Sequence, residues 1–259
     1  MQKCEKFKAL AVKRADAAAD IDIINRYAVK ELTPDDVFCF SVVLCDNDID
    51  RDLERFSDAS LTKMAELFAG KPMISDHKWS ADRQIARLYR LHVETAEGKT
   101  KDGRTLRQLI GCAYMVKNDQ TRPTIDAIEA GILKEVSVGV QMGKCSCSVC
   151  QTAMGWRICE NGHVKGEEYD GTACAGVLED PLDAYELSFV AVPAQPGAGV
   201  IKGAKDVKAA FGVLMAADLS DCPEEAEALM TKLLEARMSA AERARRAEIV
   251  RENKKYLKG

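Results

Sequence analysis

The chain has 259 residues, 47% of them hydrophobic and 30% charged, so it is long and apolar enough to bury a substantial core. Its net charge of −4 argues against a specific nucleic-acid binder, because no overall positive charge attracts phosphate. The sequence has no run of about 18 apolar residues and no secretory hydrophobic stretch near its start. We therefore expect an intracellular protein without a membrane partner.

The predicted elements begin after a lead-in, residues 1–36, that is rich in Ala, Lys and Asp. A charged loop over 46–56 is followed by a predicted helix over 57–70, in which Ser57 or Asp58 caps the start and Gly70 ends the helix. A shorter helix is predicted over 121–131. The predicted strands, which are rich in β-branched or alternating apolar residues, cover 37–45, 84–97, 105–116, 133–142 and 184–193.

This order of elements does not alternate strictly between strand and helix, which indicates an α+β fold rather than a doubly wound one. We expect a β-barrel-like core, built from an antiparallel or mixed sheet, with helices at its periphery. Residues 202–259 form a linker and a tail, and from Asp221 onward they are mostly helix formers. The tail is predicted to be a C-terminal helix, which either packs on the core or serves as a partner-binding or removable segment.

Ten cysteines are present, and half of them fall in one short Gly-rich and polar region. In a reducing compartment such a local cluster predicts metal ligands rather than disulfides. Residues 144–176 are therefore predicted to form a small insert whose folding depends on a bound metal.

The best ligand set for this insert is Cys147, Cys150, Cys159 and His163, because pairs at these spacings can surround a tetrahedral Zn²⁺. A site filled by four protein ligands is structural rather than catalytic, because it leaves no position for a substrate. Two spare candidates, Cys145 and Cys174, leave open which four residues bind.

The other two histidines differ in context. His92 lies in the middle of a predicted strand, where a structural role is expected. His77 follows a short strand in "ISDHKWS", beside Asp76, and a loop at a strand end can present an imidazole into a cleft.

Three stretches together resemble the prohead (capsid maturation) serine proteases of tailed phages. They are "VVLCDNDIDRDLERFSDASLTKMAELFAGKPMISDHKWSADRQIARLYRLHVE", "AIEAGILKEVSVGV" and "AYELSFVAVPAQPGAGV". The resemblance covers roughly residues 37–201, which would be the catalytic domain. The family is similar in fold to the herpesvirus assemblins, so the resemblance also implies a β-barrel-like core surrounded by helices.

Carried over by position, the resemblance implies that Ser137 is the nucleophile and His77 is its general base. Glu186, on the strand after the nucleophile, would orient the imidazole. Asp76 is the alternative orienter, although the neighbour of His77 on an extended chain should point the other way. These residue types fit the chemistry, because a serine hydroxyl needs an adjacent base, and that base needs an orienting carboxylate.

The function implied by the resemblance is a serine endopeptidase that acts inside an assembling procapsid in the bacterial cytoplasm. Its expected partners and substrates are the scaffolding protein and the major capsid protein, and it could also cleave itself. Formation of a homo-oligomer stays open. The tail could recruit the protein to scaffold or shell before being trimmed.

Three alternatives were weighed. The same fold could serve as a non-catalytic, zinc-stabilised capsid assembly or scaffolding protein. A cysteine hydrolase using Cys112 or Cys145 has weaker support, because neither thiol has a matching histidine. A zinc-ribbon nucleic-acid binder has the weakest support, because Arg157 and Lys165 are the only basic residues between positions 145 and 174.

Overall fold

The computed structural model describes residues 15–201, which form one compact unit. The predicted C-terminal helix and the rest of the tail, 202–259, lie outside the described residues, as do residues 1–14. The described part of the expected lead-in, 15–36, belongs to the same unit as the sheet.

The described part of the chain combines three helices with a strand-rich core, which confirms the α+β class. The helices are α1 (Ala17–Ile24), α2 (Asp58–Leu67) and α3 (Arg122–Glu129). Short 3₁₀ turns occupy Pro34–Asp36 and Ala81–Arg83. The strands are β1 (Val37–Asp46), β2 (Glu54–Phe56), β3 (Pro72–Ser75), β4 (Ala86–Lys99), β5 (Thr105–Val116), β6 (Val136–Cys147), β7 (Glu168–Tyr169), β8 (Thr172–Ala173), β9 (Gly176–Phe189) and β10 (Gly199–Val200).

The main sheet is mixed, and β9 pairs with three other strands of it. Strands run in the order β10-β1-β5-β4-β3-β9, with antiparallel pairs from β10 through β3 and a parallel pair between β3 and β9. Strand β2 is also parallel to β9, and β6 pairs with β9 in the antiparallel sense. Strands β7 and β8 form a separate small hairpin within the cysteine-rich region.

The expectation of a barrel needs correction, because the strand ladders of the described residues form an open path. The two ends of that path, β10 and the start of β6, meet only at an isolated bridge between Glu135 and Gly199. One further hydrogen bond, from Val200 N to Lys134 O at 2.8 Å, accompanies the bridge. Strand β10 is too short to build a ladder on both of its edges, so the sheet stays open.

The core lies between the sheet and helix α2, as the sequence pattern of this helix predicts. Ser57 caps its start, since its side chain accepts a hydrogen bond from Ser60 N at 3.1 Å. Leu61, Met64 and Phe68 follow at helical spacing and are wholly buried. They pack in one cluster with side chains of β1, β4, β5, β6 and β9.

Helix α1 is attached to the sheet through a buried carboxylate that the sequence pattern does not reveal. Asp20 is 2% exposed and accepts hydrogen bonds from Tyr89 Oη at 2.7 Å and from Arg90 Nη1 at 2.8 Å. Opposite charge and hydrogen bonds offset the cost of burying this group.

The charged loop after β1 packs against the "PAQPG" segment that follows β9. Gln195 is buried and makes two hydrogen bonds to the backbone of Asp46, accepting from its N at 2.5 Å and donating to its O at 3.0 Å. Arg51 N also donates to Ala194 O at 3.1 Å. These contacts hold the chain beyond β9 close to the end of β1, where β10 can pair with it.

Candidate functional site

The His77 loop begins where β3 ends, beside the carboxyl end of the parallel strand β9. Its first residue, Asp76, donates its backbone N–H to Phe189 O at 2.9 Å. The backbone N–H of His77 donates to Ser188 Oγ, also at 2.9 Å. Both loop residues have left-handed φ values, 55° for Asp76 and 52° for His77. Two hydrogen bonds to β9 therefore hold a turn that non-glycine residues adopt at a cost.

The imidazole of His77 lies against the carboxylate of Glu186. Nδ1 of His77 is 2.8 Å from Oε1 of Glu186. The carboxylate side chain is 3% exposed, whereas the imidazole is 42% exposed. A carboxylate at this position accepts a hydrogen bond from Nδ1–H, which leaves the unprotonated Nε2 available as a base.

Ser137 lies on the same face of the sheet as this pair. In the antiparallel pairing of β6 with β9, Ser137 is opposite Ser188 and Gly139 is opposite Glu186. Directly opposed residues point to the same face, with Cβ atoms about 5 Å apart. The neighbouring residues on β6 alternate to the other face, where Val136 is buried in the core.

The structure therefore brings together the residues singled out in the sequence, although one contact is missing. Among the described residues, no hydrogen bond joins Ser137 to His77. Ser137 is half-buried and lies across the strand pair from the serine that holds the His77 backbone. Nucleophile–base contacts in ligand-free enzymes are often longer than a hydrogen bond.

Asp76, the alternative orienter, does not contact the imidazole. Its carboxylate is exposed and faces Lys78 Nζ at 3.8 Å. The argument that neighbours on an extended chain point apart does not apply here, because both residues are in left-handed turn conformation. His92 lies on β4, with Nε2 3.5 Å from Glu94 Oε2.

An aromatic pair links the chain after His77 to β9. Trp79, two residues after His77, is 70% exposed, and its ring centroid is 5.1 Å from that of Tyr185. Tyr185 precedes Glu186 and donates its hydroxyl to Gln141 Oε1 at 2.6 Å. Large apolar surface is thus available next to the site.

The cysteine-rich region forms a compact cluster of metal-type donors, as its spacing predicts. The ligand atoms of Cys147, Cys150, Cys159 and His163 all lie within 4.8 Å of one another. Cys150 Sγ is 3.6 Å from Cys159 Sγ, and His163 Nδ1 is 3.4 Å from Cys159 Sγ. A tetrahedron around Zn²⁺ has edges of about 3.5–3.8 Å, so these donors fit such an ion.

Two local turns position these donors. Cys147 ends β6, and a turn closed by Gln151 N to Cys147 O at 2.9 Å brings Cys150 back beside it. Cys159 and His163 lie on a small hairpin, joined by Cys159 N to His163 O at 3.0 Å. The imidazole of His163 packs edge-on against Tyr169, with ring centroids 4.5 Å apart.

The pKa values of Cys150 and Cys159 are lowered, whereas those of the two spare cysteines are raised. A hydrogen bond with the Thr152 hydroxyl lowers the pKa of Cys150 to about 6, which favours the thiolate that a metal needs. Burial raises the pKa of Cys174 to about 12, although its Sγ is only 3.8 Å from that of Cys147. Burial also raises the pKa of Cys145. Neither spare cysteine belongs to the four-donor group.

Burial argues against both thiols that could be alternative nucleophiles, since it raises the pKa of Cys145 and leaves Cys112 without access to solvent. Cys112 is wholly buried, with Arg90 Nη2 at 3.5 Å and Ser41 Oγ at 4.0 Å as its partners.

Lys165, one of the two basic residues of the cysteine-rich region, is buried and paired with Glu54. That lysine therefore adds little positive surface for a nucleic acid.

Two residues of the site could not be singled out from the sequence. Ser188 donates to Glu186 Oε2 at 2.7 Å while it accepts from His77 N. Gly139 lies directly under the Glu186 carboxylate, since a Cβ there would be 2.3 Å from Oε1. In the sequence, only the glycine in "SVGV" and the serine in "YELSF" mark these two positions, and neither motif assigns them a role.

A scan against protein-family models, a search of curated proteins and a search of solved structures each found no match to this chain. No helix in the part of the chain that the structure describes is long and apolar enough to cross a membrane.

Proposed function

We propose that this protein is a serine endopeptidase that uses Ser137, His77 and Glu186. The observation that carries the proposal is the hydrogen bond between the imidazole and the buried carboxylate, on the face of the sheet that also bears Ser137. In hydrolases of this class a carboxylate orients the imidazole, and the imidazole activates the hydroxyl.

The chemistry follows the roles of these three groups. Nε2 of His77 takes the proton of Ser137 as Oγ forms a bond to the carbonyl carbon of the substrate. The same proton then passes to the amine as the peptide C–N bond breaks, leaving an acyl ester on Ser137. Water, deprotonated by His77, hydrolyses this ester and restores the serine. Glu186 stabilises the imidazolium in both steps.

A peptide substrate also fits the strand that carries Ser137. Strand β6 pairs with β9 along one edge, and on its other edge the described residues make only isolated bridges, at Glu135 and Ser146. Between these bridges the backbone groups of β6 are available to an extended peptide. Addition of a strand to an exposed sheet edge is a common mode of peptide recognition.

The capsid context rests on the sequence resemblance described above. The three stretches that resemble prohead proteases contain all three proposed active-site residues. We therefore propose that scaffolding protein, or a scaffolding segment of the major capsid protein, is the substrate, and that cleavage occurs inside the procapsid.

We propose further that Cys147, Cys150, Cys159 and His163 bind one structural Zn²⁺. Three thiolates and one imidazole are a usual zinc ligand set, and they leave no open coordination position. The ion would join the end of β6, the strand that also carries Ser137, to the cysteine-rich segment that follows it.

One observation favours a second candidate function. Ser137 and His77 are not hydrogen-bonded, so the fold could have been retained by a non-catalytic, zinc-stabilised protein of capsid assembly. The proposal and this alternative differ in whether Ser137 is needed for cleavage.

Co-expression with the scaffolding and capsid proteins tests the proposal. We expect wild-type protein to shorten the scaffold, the capsid protein or its own chain on a gel, and Ser137→Ala to leave all three at full length. Cys112→Ala serves as a matched control that should still cleave, because the Cys112 thiol is buried away from His77. Identical full-length bands with wild type and Ser137→Ala, both folded and zinc-loaded, would favour the assembly protein.

A further inference from the structure

Ser188 occupies the point where the loop of His77 meets the carboxylate of Glu186. It is wholly buried on β9, on the same face as Glu186 two residues earlier. Its hydroxyl donates to Glu186 Oε2 at 2.7 Å and accepts from the backbone N–H of His77 at 2.9 Å. One side chain thus contacts two of the three groups assigned to catalysis.

We propose that Ser188 is a positioning residue that joins Glu186 and His77 into one rigid unit. This inference rests on the proposed function and adds a fourth residue to it. The two carboxylate oxygens have separate partners, since Oε1 faces His77 Nδ1 and Oε2 faces Ser188. The terminal torsion of a glutamate is otherwise broad, so losing one anchor frees the carboxylate to rotate away from the imidazole.

The bond to the His77 backbone has a separate effect. His77 has a φ of 52°, a left-handed conformation that is unfavourable for a residue with a Cβ. The N–H of this residue finds its acceptor in Ser188 Oγ. Without that acceptor, the turn loses the contact that opposes its relaxation, and the imidazole moves with it.

Gly139, opposite Glu186 in the β6–β9 pair, borders the space that the Glu186 carboxylate occupies. A Cβ at this position would lie 2.3 Å from Glu186 Oε1, the oxygen that faces the imidazole. Space for the carboxylate, rather than backbone conformation, therefore accounts for a glycine two residues after Ser137. We infer that Gly139 and Ser188 together fix where the carboxylate lies.

Ser188→Ala tests the proposal without a known substrate. A fluorophosphonate labels activated serines, and its inactivation kinetics separate the limiting rate of reaction at Ser137 from the concentration that gives half of this rate. We expect Ser188→Ala to lower the limiting rate about 10- to 100-fold and to leave the half-saturating concentration unchanged. Ser60→Ala removes another buried serine hydroxyl, on α2, and should react like wild type.

A second readout needs no catalysis. In ¹⁵N-labelled protein the Nδ1–H proton of His77, hydrogen-bonded to Glu186, should give a downfield resonance. We expect this resonance in wild type and Ser60→Ala, and its shift or loss in Ser188→Ala. Gly139→Ala should also shift it, because a Cβ there displaces the carboxylate. If Ser188→Ala does not fold, Ser188→Cys decides the matter, because it fills the same site and weakens both hydrogen bonds of Ser188.

The outcomes separate this proposal from the proposed function. Wild-type labelling at Ser137 together with an unchanged rate and an unchanged His77 resonance in Ser188→Ala would overturn the positioning role alone. Absence of labelling in wild type would count against the endopeptidase. In that case the His77 resonance still decides whether Ser188 holds the pair together.

Discussion

Glu186 is almost wholly buried, while the imidazole it contacts remains open to solvent. A buried carboxylate is costly unless hydrogen bonds satisfy it, and here both oxygens have a donor. Nδ1 of His77 is held by Glu186, so the exposed remainder of the imidazole is open to a ligand. In the proposed mechanism the buried carboxylate orients the imidazole, and the exposed imidazole acts as the base.

Asp50 is a second buried carboxylate, and its effect on folding stability can be tested through its pH dependence. Burial raises the pKa of Asp50 to about 6, even though its Oδ1 accepts from Asp52 N and Glu54 N, both at 2.9 Å. A folded-state pKa above the unfolded one means that folding stability falls as the pH rises through about 4 to 6. Asparagine can accept the same two hydrogen bonds without a charge.

We therefore expect Asp50→Asn to stabilise the protein at pH 7.5 by about 1 kcal/mol, because burying an amide also has a cost and offsets part of the gain. The gain should shrink toward pH 5 and vanish below about pH 4. Chemical denaturation across this pH range measures it. Asp36→Asn is the opposite control, because hydrogen bonds from Thr33 lower the pKa of Asp36, so this variant should lose stability at neutral pH. A pH-independent effect of Asp50→Asn would contradict the account.

At the scale of elements, hydrophobic pattern predicts the five main strands, which are β1, β4, β5, β6 and β9. The ends of the last two could not be predicted. Strand β6 runs on to Cys147, and β9 begins at Gly176, because each extends the ladder of the other. Their distal residues are mainly cysteine, serine, glycine and charged residues, which carry no alternating apolar signal.

The same limit applies to the site. The residue types of Ser137, His77 and Glu186, together with the family resemblance, were enough to name them as candidates. The parts played by Ser188 and Gly139 depend on the register of β6 against β9. A shift of one residue would move every side chain to the other face, and the sequence does not state the register.

The stability of the cysteine-rich region can be tested separately from that of the main core. We expect Cys159→Ser, or removal of metal by a chelator, to abolish stoichiometric zinc and to expose the backbone of residues 148–175 to hydrogen exchange. The physical reason is that this region has few core residues besides its own cysteines. Metal analysis and hydrogen-exchange mass spectrometry measure the two effects.

Protection of β1, β4 and β5 should persist in the metal-free protein, because these strands pack in the main core. Cys39→Ser, which changes a half-buried cysteine outside the cluster, should keep the metal. Full zinc content in Cys159→Ser would show that the ligand set is wrong. Cys174, whose Sγ is 3.8 Å from that of Cys147, would then be the residue to change next.

At the scale of the whole described unit, one pair of strands connects the two sites. One end of the β6–β9 pair carries Ser137 and Ser188, and its other end carries Cys147 opposite Gly176. The proposed zinc would restrain the far end of β6, the strand whose near end bears Ser137. Loss of metal should therefore reduce activity indirectly, through strand order, rather than by removing a catalytic ion.

If Ser137 is an activated nucleophile, as proposed, it should react covalently with a serine-directed reagent. Folded, zinc-loaded protein would be treated with a fluorophosphonate, and the adduct located by tandem mass spectrometry. We expect one adduct per chain, on Ser137, with labelling strongly slowed by His77→Ala and Glu186→Gln. An unlabelled Ser137, or labelling that is indifferent to both changes, would contradict it.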